Sequence, residues 1–329
     1  MDSAFLDRIF AIRDKKTFRE IALKVFLYQA EQVETYGAYL DLLGVDPVRI
    51  RALEEVPFLP AAFFKSHKIQ VKGRQTELIF ESSGTSGQTP AKHHVADAAL
   101  YRRSFFEGFR RMYGDPEKLC ILALLPAYLE REASSLVYMM DHLIAVSEHP
   151  DSGFYLDRLA DLSRVLHARK ADGQPTLLLG VTFALLDLAE QFPQSLSDHL
   201  LLMETGGMKG RRKEMVRKEV HQVLKASFGL KKIHSEYGMT ELLSQAYSRG
   251  EGRFYCPPWM QVQLRDPNDP LSASRDGQNG GINVIDLANV YSCSFIATGD
   301  LGKSYADGSF EVLGRFDHSD IRGCNLMVM

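Results

Sequence analysis

One stretch sets the expectations for the whole chain: Phe80-Glu81-Ser82-Ser83-Gly84-Thr85-Ser86-Gly87-Gln88-Thr89-Pro90-Ala91-Lys92-His93-His94. It follows a short apolar run at 77–80, which predicts a β-strand. The two glycines are three residues apart and let the backbone turn tightly, so that its N–H groups converge on one point. Four hydroxyl groups, on Ser82, Ser83, Thr85 and Ser86, add further hydrogen-bond donors.

Convergent donors followed by the positive charge of Lys92 suit a polyphosphate, because its charge leaves water only where N–H and ammonium groups replace that water. The stretch differs from the P-loop, since no Gly-Lys-Ser/Thr sequence closes it. A flexible Gly/Ser linker has a similar composition. His93 and His94 could contact phosphate or could form a solvated pair.

Three later motifs favour the nucleotide-binding interpretation. They are Ser235-Glu236-Tyr237-Gly238-Met239-Thr240-Glu241, Thr298-Gly299-Asp300 and Gly314-Arg315-Phe316-Asp317. Together with the Ser/Thr/Gly loop, and in this order, they resemble the signature of the acyl-adenylate-forming superfamily, which includes acyl-CoA ligases and luciferases. Within it, the chain looks most like the acyl-protein synthetase of the bacterial luminescence fatty-acid reductase complex. That resemblance is carried by Glu204-Thr205-Gly206-Gly207-Met208-Lys209-Gly210 and Asp320-Ile321-Arg322-Gly323-Cys324-Asn325-Leu326, and it extends from about Phe58 onward.

Composition excludes several other classes. The chain has 329 residues, 45% of them hydrophobic and 25% charged, as in an ordinary soluble globular protein. A net charge of −3 gives no electrostatic case for binding nucleic acid. The N-terminus does not match a signal peptide, and the longest apolar stretch, 119–129, is too short to span a membrane. Four scattered cysteines without a CxxC pair argue against a zinc site and for a cytoplasmic protein with reduced thiols.

The order of predicted elements indicates an α/β fold. The first fifty residues are expected to be helical, with Thr17 and Glu20 as a capping box. Helices are then predicted at 97–113, 133–146, 182–191 and 213–228, alternating with strands at 120–125, 176–179, 199–203 and 231–234. Such alternation predicts a largely parallel sheet flanked by helices, with ligands at the carboxyl ends of the strands.

From 253 onward the chain is rich in turns. Short strands are predicted at 261–264, 282–287, 294–297 and 310–313. We therefore expect two regions: a helical N-terminal segment with the α/β core at 1–252, and a small, mostly antiparallel β subdomain packed on the sheet at 253–329. The resemblance implies the N-terminal-domain fold of adenylate-forming enzymes.

The resemblance also implies roles for individual residues, with ATP and Mg²⁺ bound. Glu241 would bind Mg²⁺, for which a carboxylate is a suitable hard ligand. Thr240 would touch the α-phosphate, and Lys92 would be a further catalytic residue. Nucleotide binding would involve Ser82, Ser83, Gly84, Thr85, Ser86, Gly87, Gly206, Gly207, Tyr237, Gly238, Asp300 and Arg315.

Each of the later assignments has a simpler structural alternative. Tyr237 would stack on adenine or be a core tyrosine, and Gly206 and Gly207 would approach the adenine edge or merely end a strand. Asp300 would accept hydrogen bonds from the ribose, and Arg315 would reach the ribose and phosphates. The alternative for both is an ion pair at a hairpin edge. For Glu241 the alternative is a surface carboxylate.

The end of the chain departs from the acyl-CoA ligases. Those enzymes have a mobile C-terminal lid domain with a catalytic lysine after the Gly-Arg-x-Asp hinge, whereas this sequence ends twelve residues after Asp317. We therefore expect no lid domain. Cys324 lies in this tail, and a thiolate can take an acyl group from an acyl-adenylate. Arg322 could lower the pKa of that thiol, although a buried, inert cysteine is the alternative.

The sequence thus predicts an ATP-dependent acyl-protein synthetase. It would convert a carboxylic acid, most plausibly a fatty acid, into acyl-AMP, transfer the acyl group to Cys324 and pass it to an acyl-CoA-reductase-like partner. Two alternatives stay open: a CoA ligase or acyltransferase of the phenylacetate-CoA-ligase type, and a non-catalytic subunit of a reductase complex. The identity of the acid and the oligomeric state are not encoded in any motif.

Overall fold

The computed structural model describes residues 1–82, 89–125, 133–155, 158–197, 199–206, 215–274 and 279–316. Its helices are α1 (Ser3–Phe10), α2 (Lys15–Gln32), α3 (Glu34–Leu42), α4 (Ala98–Tyr113), α5 (Ser135–Ser147), α6 (Leu159–Asp172), α7 (Thr182–Gln191) and α8 (Arg217–Phe228). Its strands are β1 (Leu59–Pro60), β2 (Leu78–Glu81), β3 (Lys92–Val95), β4 (Cys120–Leu124), β5 (Gly153–Phe154), β6 (Thr176–Val181), β7 (Leu200–Thr205), β8 (His234–Tyr237), β9 (Ala246–Ser248), β10 (Arg253–Tyr255), β11 (Met260–Arg265), β12 (Asn279–Asp286), β13 (Phe295–Ser304) and β14 (Phe310–Arg315).

Most strands join one large sheet. Within the described residues it has twelve strands in the order β11-β12-β13-β14-β10-β9-β8-β7-β6-β4-β5, and β1 pairs in parallel with β13. The run from β8 to β5 is parallel, whereas the pairings from β8 through β9 to β11 are antiparallel. The predicted α/β class, with a largely parallel sheet and a β-rich end, is confirmed.

The antiparallel strands are joined to the parallel strands by continuous strand pairing. β10 pairs with β9 on one side and with β14 on the other, so hydrogen bonds cross the expected boundary at residues 252 and 253. Each unpaired sheet edge exposes backbone donors and acceptors, and continuous pairing removes two such edges. The division into two regions stays a prediction.

The central parallel strands follow the apolar runs of the sequence. Every residue of β4 and of β6 is buried, as expected for strands covered on both faces. β8 begins only at His234, where the parallel pairing with Met203 of β7 starts, so the predicted strand at 231–234 was placed too early. This shift puts Tyr237 inside the strand.

Helix α8 shows where periodicity succeeds and fails. Gly229 ends it with φ +65°, as predicted for a C-cap glycine. Val220, Leu224 and Phe228 form its buried stripe, whereas Val223, although apolar, is 40% exposed because it lies beside that stripe. The predicted start at Lys213 lies outside the described residues. None of the described helices combines the length and apolar character needed to cross a bilayer.

The N-terminal segment is helical as expected, but its cap differs. Helix α2 begins at Lys15, and the N-cap is Asp14, not Thr17. Oδ1 of Asp14 accepts a hydrogen bond from the Thr17 backbone N–H (2.9 Å), and Oδ2 accepts one from the Thr17 hydroxyl (2.8 Å). An N-cap carboxylate that accepts from the backbone N–H three residues later therefore replaces the predicted capping box.

A buried amide joins α2 to the far end of the sequence. Nε2 of Gln29 donates to the carbonyl oxygens of Asn289 and Val290, each at 3.0 Å, and to the hydroxyl of Ser294 at 3.2 Å. Its Oε1 accepts from the Ser294 backbone N–H at 2.9 Å. Gln29 is fully buried, so these bonds tie the N-terminal helices to the connection between β12 and β13.

Replacing Gln29 by alanine tests this tie. The variant leaves several buried donors and acceptors without partners, so we expect the free energy of unfolding to fall by about 2–4 kcal/mol. Urea denaturation followed by the fluorescence of Trp259, the single and fully buried tryptophan, measures it. Glu31→Ala, on an exposed position of the same helix, is the matched control, and equal stability of the two variants would contradict the assignment.

Candidate active site

The candidate site lies where the parallel half of the sheet meets the antiparallel half. Gly206 follows β7 and Tyr237 ends β8, and these two strands are parallel neighbours. Gly206 has φ +72°, a conformation that favours glycine, and it is exposed. Its carbonyl oxygen accepts a hydrogen bond from the hydroxyl of Thr182 at 3.0 Å. Gly207 lies outside the described residues.

Three of the predicted residues meet directly. The hydroxyl of Tyr237 donates to Oδ2 of Asp300 at 2.8 Å, and Nε of Arg315 donates to Oδ1 at 3.3 Å. Asp300 and Arg315 are register partners on β13 and β14. The Arg315 side chain is 81% exposed, whereas the Asp300 side chain is only 14% exposed. The guanidinium group therefore lies on the solvent-facing side of this cluster. Burial, followed by the charge of Asp300, raises the pKa of Tyr237 well above its ordinary value.

A buried arginine that the sequence analysis missed supports Asp300. Arg265 donates from Nη1 to the Ile282 carbonyl oxygen (2.8 Å) and from Nη2 to the Thr298 carbonyl oxygen (2.5 Å). The Thr298 hydroxyl donates to the same Ile282 oxygen and accepts from the Asp300 backbone N–H at 3.1 Å. An arginine at the end of a strand is common, and no local signal distinguished this one.

Glu241 is buried close to this cluster. Only 7% of the residue is exposed, which excludes the surface-carboxylate alternative. Burial raises the pKa of Glu241 to about 7. The negative charge of Asp300 also raises this pKa, whereas the positive charges of Arg315 and Lys65 lower it. A cation would relieve the cost of burying this carboxylate, so the residue fits Mg²⁺. Within the described residues no three His, Cys, Asp or Glu side chains form a metal cluster, but Mg²⁺ often takes only one or two carboxylates together with phosphate oxygens.

Thr240 precedes Glu241 in the same turn. Its carbonyl oxygen accepts a hydrogen bond from Nδ1 of His93 at 2.8 Å. His93 is fully buried, so the expectation of a solvated histidine pair is wrong for this residue. Both of its ring nitrogens contact protein oxygens, which leaves neither for phosphate. His94, on the other face of β3, is only half-buried.

The Ser/Thr/Gly loop is described only at its base. The backbone N–H of Ser82 donates to the Ala91 carbonyl oxygen (2.9 Å), and the Ser82 hydroxyl accepts from the Ala91 N–H (2.8 Å). Lys92 forms an ion pair with Glu81 at 3.0 Å, on the opposite face of β3 from His93. Ser83, Gly84, Thr85, Ser86, Gly87 and Cys324 lie outside the described residues, and their roles, like that of Lys92, stay predictions.

Two buried glutamates lie under the site and were not singled out from the sequence. Burial alone would raise the pKa of Glu204, but the hydrogen bond from His221 and the charge of Arg217 outweigh it and lower that pKa. Nε of Arg217 contacts Oε1 of Glu204 at 3.0 Å. Among the described residues Glu236 has no such cation beside it: it accepts from the Thr205 hydroxyl, and burial raises its pKa to about 7.

The carboxyl group of Glu236 lies against the glycine that follows Tyr237. A Cβ atom at Gly238 would collide with Oε1 of Glu236, so a larger residue there would displace this carboxylate, although the φ of Gly238 is ordinary. Tyr247 of β9 is the register partner of Glu236 across the sheet. Its buried hydroxyl has no hydrogen-bond partner among the described residues.

The sheet and its motif-bearing edge define the fold class of the adenylate-forming ligases. The ATP-bound structure of MatB from Rhodopseudomonas palustris matches with a TM-score of 0.53 and 20% identity, over 72% of this chain and 47% of MatB. An open conformation of 2-hydroxyisobutyryl-CoA ligase with 2-HIB-AMP and CoA matches with a TM-score of 0.66 and 15% identity, over 93% of this chain and 72% of that enzyme. The chain therefore spans about half the length of MatB.

The chain belongs to the LuxE acyl-protein synthetase family, whose model matches residues 10–329. This confirms the resemblance inferred from the motifs. A search of curated protein sequences finds no match.

The burial of Glu236 predicts a pH dependence of stability. Because its pKa is raised from 4.5 to about 7 in the folded state, the folded protein holds a proton that the unfolded chain has lost between these values. Stability therefore falls as the pH rises from about 4.5 through about 7. Glu236→Gln should remove up to about 3 kcal/mol of this fall. Urea denaturation of both proteins across that pH range measures the change in the free energy of unfolding. Glu117→Gln, at an exposed position, is the control. If the free energies of unfolding of wild type and Glu236→Gln change in parallel with pH, the prediction is contradicted.

Proposed function

We propose that the protein is an ATP-dependent acyl-protein synthetase that activates a carboxylic acid, specifically a fatty acid, as acyl-AMP. The observation that carries this proposal is the convergence of Tyr237, Asp300, Arg315 and Glu241 at one edge of the sheet. The family assignment supports the same class of reaction. The fold relatives add support because they hold ATP in MatB and 2-HIB-AMP in 2-hydroxyisobutyryl-CoA ligase.

The reaction brings two anions together. A carboxylate oxygen attacks the α-phosphorus of ATP, a P–O bond forms, and pyrophosphate leaves with the electron pair of the bond that breaks. The exposed guanidinium of Arg315 would neutralise phosphate charge at the mouth of the site, and the Ser/Thr/Gly loop with Lys92 would supply further donors. Asp300, fixed by Tyr237, would hold the ribose hydroxyls.

Glu241 would hold Mg²⁺ beside the phosphates. The bound ion supplies positive charge that stabilises the departing pyrophosphate. Because protonation of Glu241 removes this ligand, nucleotide binding with Mg²⁺ should weaken as the pH falls through about 7.

The acyl group would then pass to Cys324. Its thiolate attacks the acyl carbonyl carbon, a thioester forms, and AMP leaves with the electron pair of the broken C–O bond. A thiol on the same chain makes this step intramolecular, at an effective concentration near millimolar. An acyl-CoA-reductase-like partner in the cytoplasm would receive the acyl group.

A CoA acceptor is the second candidate. It is favoured by the similarity to 2-hydroxyisobutyryl-CoA ligase, which covers 93% of this chain and whose structure contains CoA. The two candidates share the adenylation step and differ only in the thiol.

Acid-dependent exchange of labelled pyrophosphate into ATP tests the adenylation step. With Mg²⁺ and a panel of acids of varied chain length, we expect exchange for at least one acid and a fall of about tenfold or more for Glu241→Gln. Glu20→Gln, exposed on α2, should leave the exchange unchanged. Absence of exchange with every acid would favour a non-catalytic subunit instead.

Labelled acid with ATP tests the acceptor. We expect a hydroxylamine-sensitive label on the wild-type chain, no label on Cys324→Ser, and unchanged pyrophosphate exchange in that variant. Cys256→Ser is the control, because burial raises the pKa of the Cys256 thiol to about 12 and leaves it a poor nucleophile. Acylation of free CoA by Cys324→Ser at the wild-type rate would instead establish CoA as acceptor.

A further inference from the structure

The turn that bears Thr240 and Glu241 is held by a side chain from a distant segment. His93 lies on β3, which leads out of the Ser/Thr/Gly loop, and it is 147 residues from Thr240 in sequence. Its Nδ1 donates to the Thr240 carbonyl oxygen at 2.8 Å. The ring is fully buried and packs edge-on against Phe64, with 5.6 Å between ring centroids. Successive side chains of a β-strand point to opposite faces of the sheet. The contact between His93 and Thr240 therefore determines which face of β3 is turned toward the site.

Asn289 extends the contact to the next residue of the turn. Its Nδ2 donates to the Glu241 carbonyl oxygen at 2.8 Å and to the Cys293 carbonyl oxygen at 2.9 Å. Because both neighbours of Nδ2 are carbonyl oxygens, the amide nitrogen must face them, and this fixes the orientation of the Asn289 amide. Its Oδ1 therefore faces Nε2 of His93 at 3.1 Å. Successive carbonyl groups of the motif are thus held by two buried side chains that also contact each other.

The protonation of His93 fits a link of this kind. Burial lowers the pKa of its imidazole to about 4, although the contacts with Thr240 and Asn289 oppose that change. A neutral ring has one hydrogen, and because a carbonyl oxygen can only accept, the contact with Thr240 places that hydrogen on Nδ1. Nε2 then carries no hydrogen, so its contact with Oδ1 of Asn289 is a packing contact between two acceptors and not a hydrogen bond.

We propose that His93 is a positioning residue which, together with Asn289, holds the backbone of Thr240 and Glu241 in register with the strand that leaves the Ser/Thr/Gly loop. β3 pairs with β2, and His93 is the register partner of Phe80, so the hairpin bearing the loop is bonded directly to the turn bearing the magnesium ligand. Without this link, each segment could move separately, and a shift of about 1 Å is enough to impair phosphoryl transfer. This inference rests on the proposed adenylation reaction.

Pyrophosphate exchange with His93→Phe tests the link, because phenylalanine keeps the ring and removes both nitrogens. We expect kcat to fall about tenfold or more and the Mg²⁺ concentration for half-maximal activity to rise, while KM for the acid changes by less than about twofold. His93→Asn retains a donor near Nδ1 and should recover part of both losses. A merely structural role would not produce this split between Mg²⁺ and acid or the recovery.

His142→Phe is the matched control. Its Nδ1 also donates to a backbone carbonyl, that of Tyr138, at 2.9 Å, but within α5 and away from the motif turn. We expect wild-type kinetics for this variant. Thermal unfolding followed by Trp259 fluorescence verifies that each variant is folded at the assay temperature.

The outcomes separate this inference from the proposed function. A wild-type chain without exchange overturns the proposed function, whereas wild-type exchange with unchanged kinetics in folded His93→Phe overturns only the positioning role. If His93→Phe does not fold, His93→Asn decides: an altered Mg²⁺ requirement supports the link, and wild-type Mg²⁺ dependence overturns it. In the wild type, nitrogen-15 NMR should show a hydrogen on Nδ1 of His93; a ring whose only hydrogen is on Nε2 would also overturn the inference.

Discussion

The buried carboxylate of Asp286 holds the turn on which the candidate site depends. It accepts hydrogen bonds from the backbone N–H groups of Leu243 and Ser244, at 2.8 and 2.9 Å, and from the Ser244 hydroxyl at 2.6 Å. Burial raises its pKa to about 6, and these hydrogen bonds keep the pKa from rising further. The turn after β8 is therefore fixed at its far end by Asp286 and at its middle by His93 and Asn289. A backbone held at several buried points loses little freedom on binding a ligand.

The site combines this rigidity with incompletely compensated charge. Glu204 has Arg217 and His221 beside it and a lowered pKa, whereas burial raises the pKa of Glu241 and of Glu236 to about 7. Burying a carboxylate without a partner costs free energy that a bound cation or a proton recovers. Perturbed carboxyl groups concentrated at one sheet edge are typical of functional sites. Their raised pKa values make this edge of the sheet responsive to pH.

Sheet continuity brings the motifs together. Tyr237 and Asp300 are 63 residues apart in sequence, and Arg315 reaches Asp300 only because β13 and β14 pair in register at that point. A register irregularity follows at once, between Leu301 and Gly302. Slipping that pairing by one residue would turn the Arg315 side chain to the other face of the sheet. The cluster therefore depends on long-range pairing that connects the antiparallel strands to β8.

The sequence by itself determined the fold class, the buried parallel strands and the motif residues Tyr237, Asp300 and Arg315, because apolar runs, turn residues and short motifs are local signals. Strand β8 began later than predicted, and Asp14 replaced Thr17 as a cap, because local patterns do not specify where hydrogen bonding begins. Tertiary structure alone decided that His93 and Glu236 are buried. His93 is buried by contacts with residues more than a hundred positions away in sequence. Glu236 takes its hydrogen-bond partner from the neighbouring strand. The local sequence therefore shows neither the burial of these two side chains nor their partners.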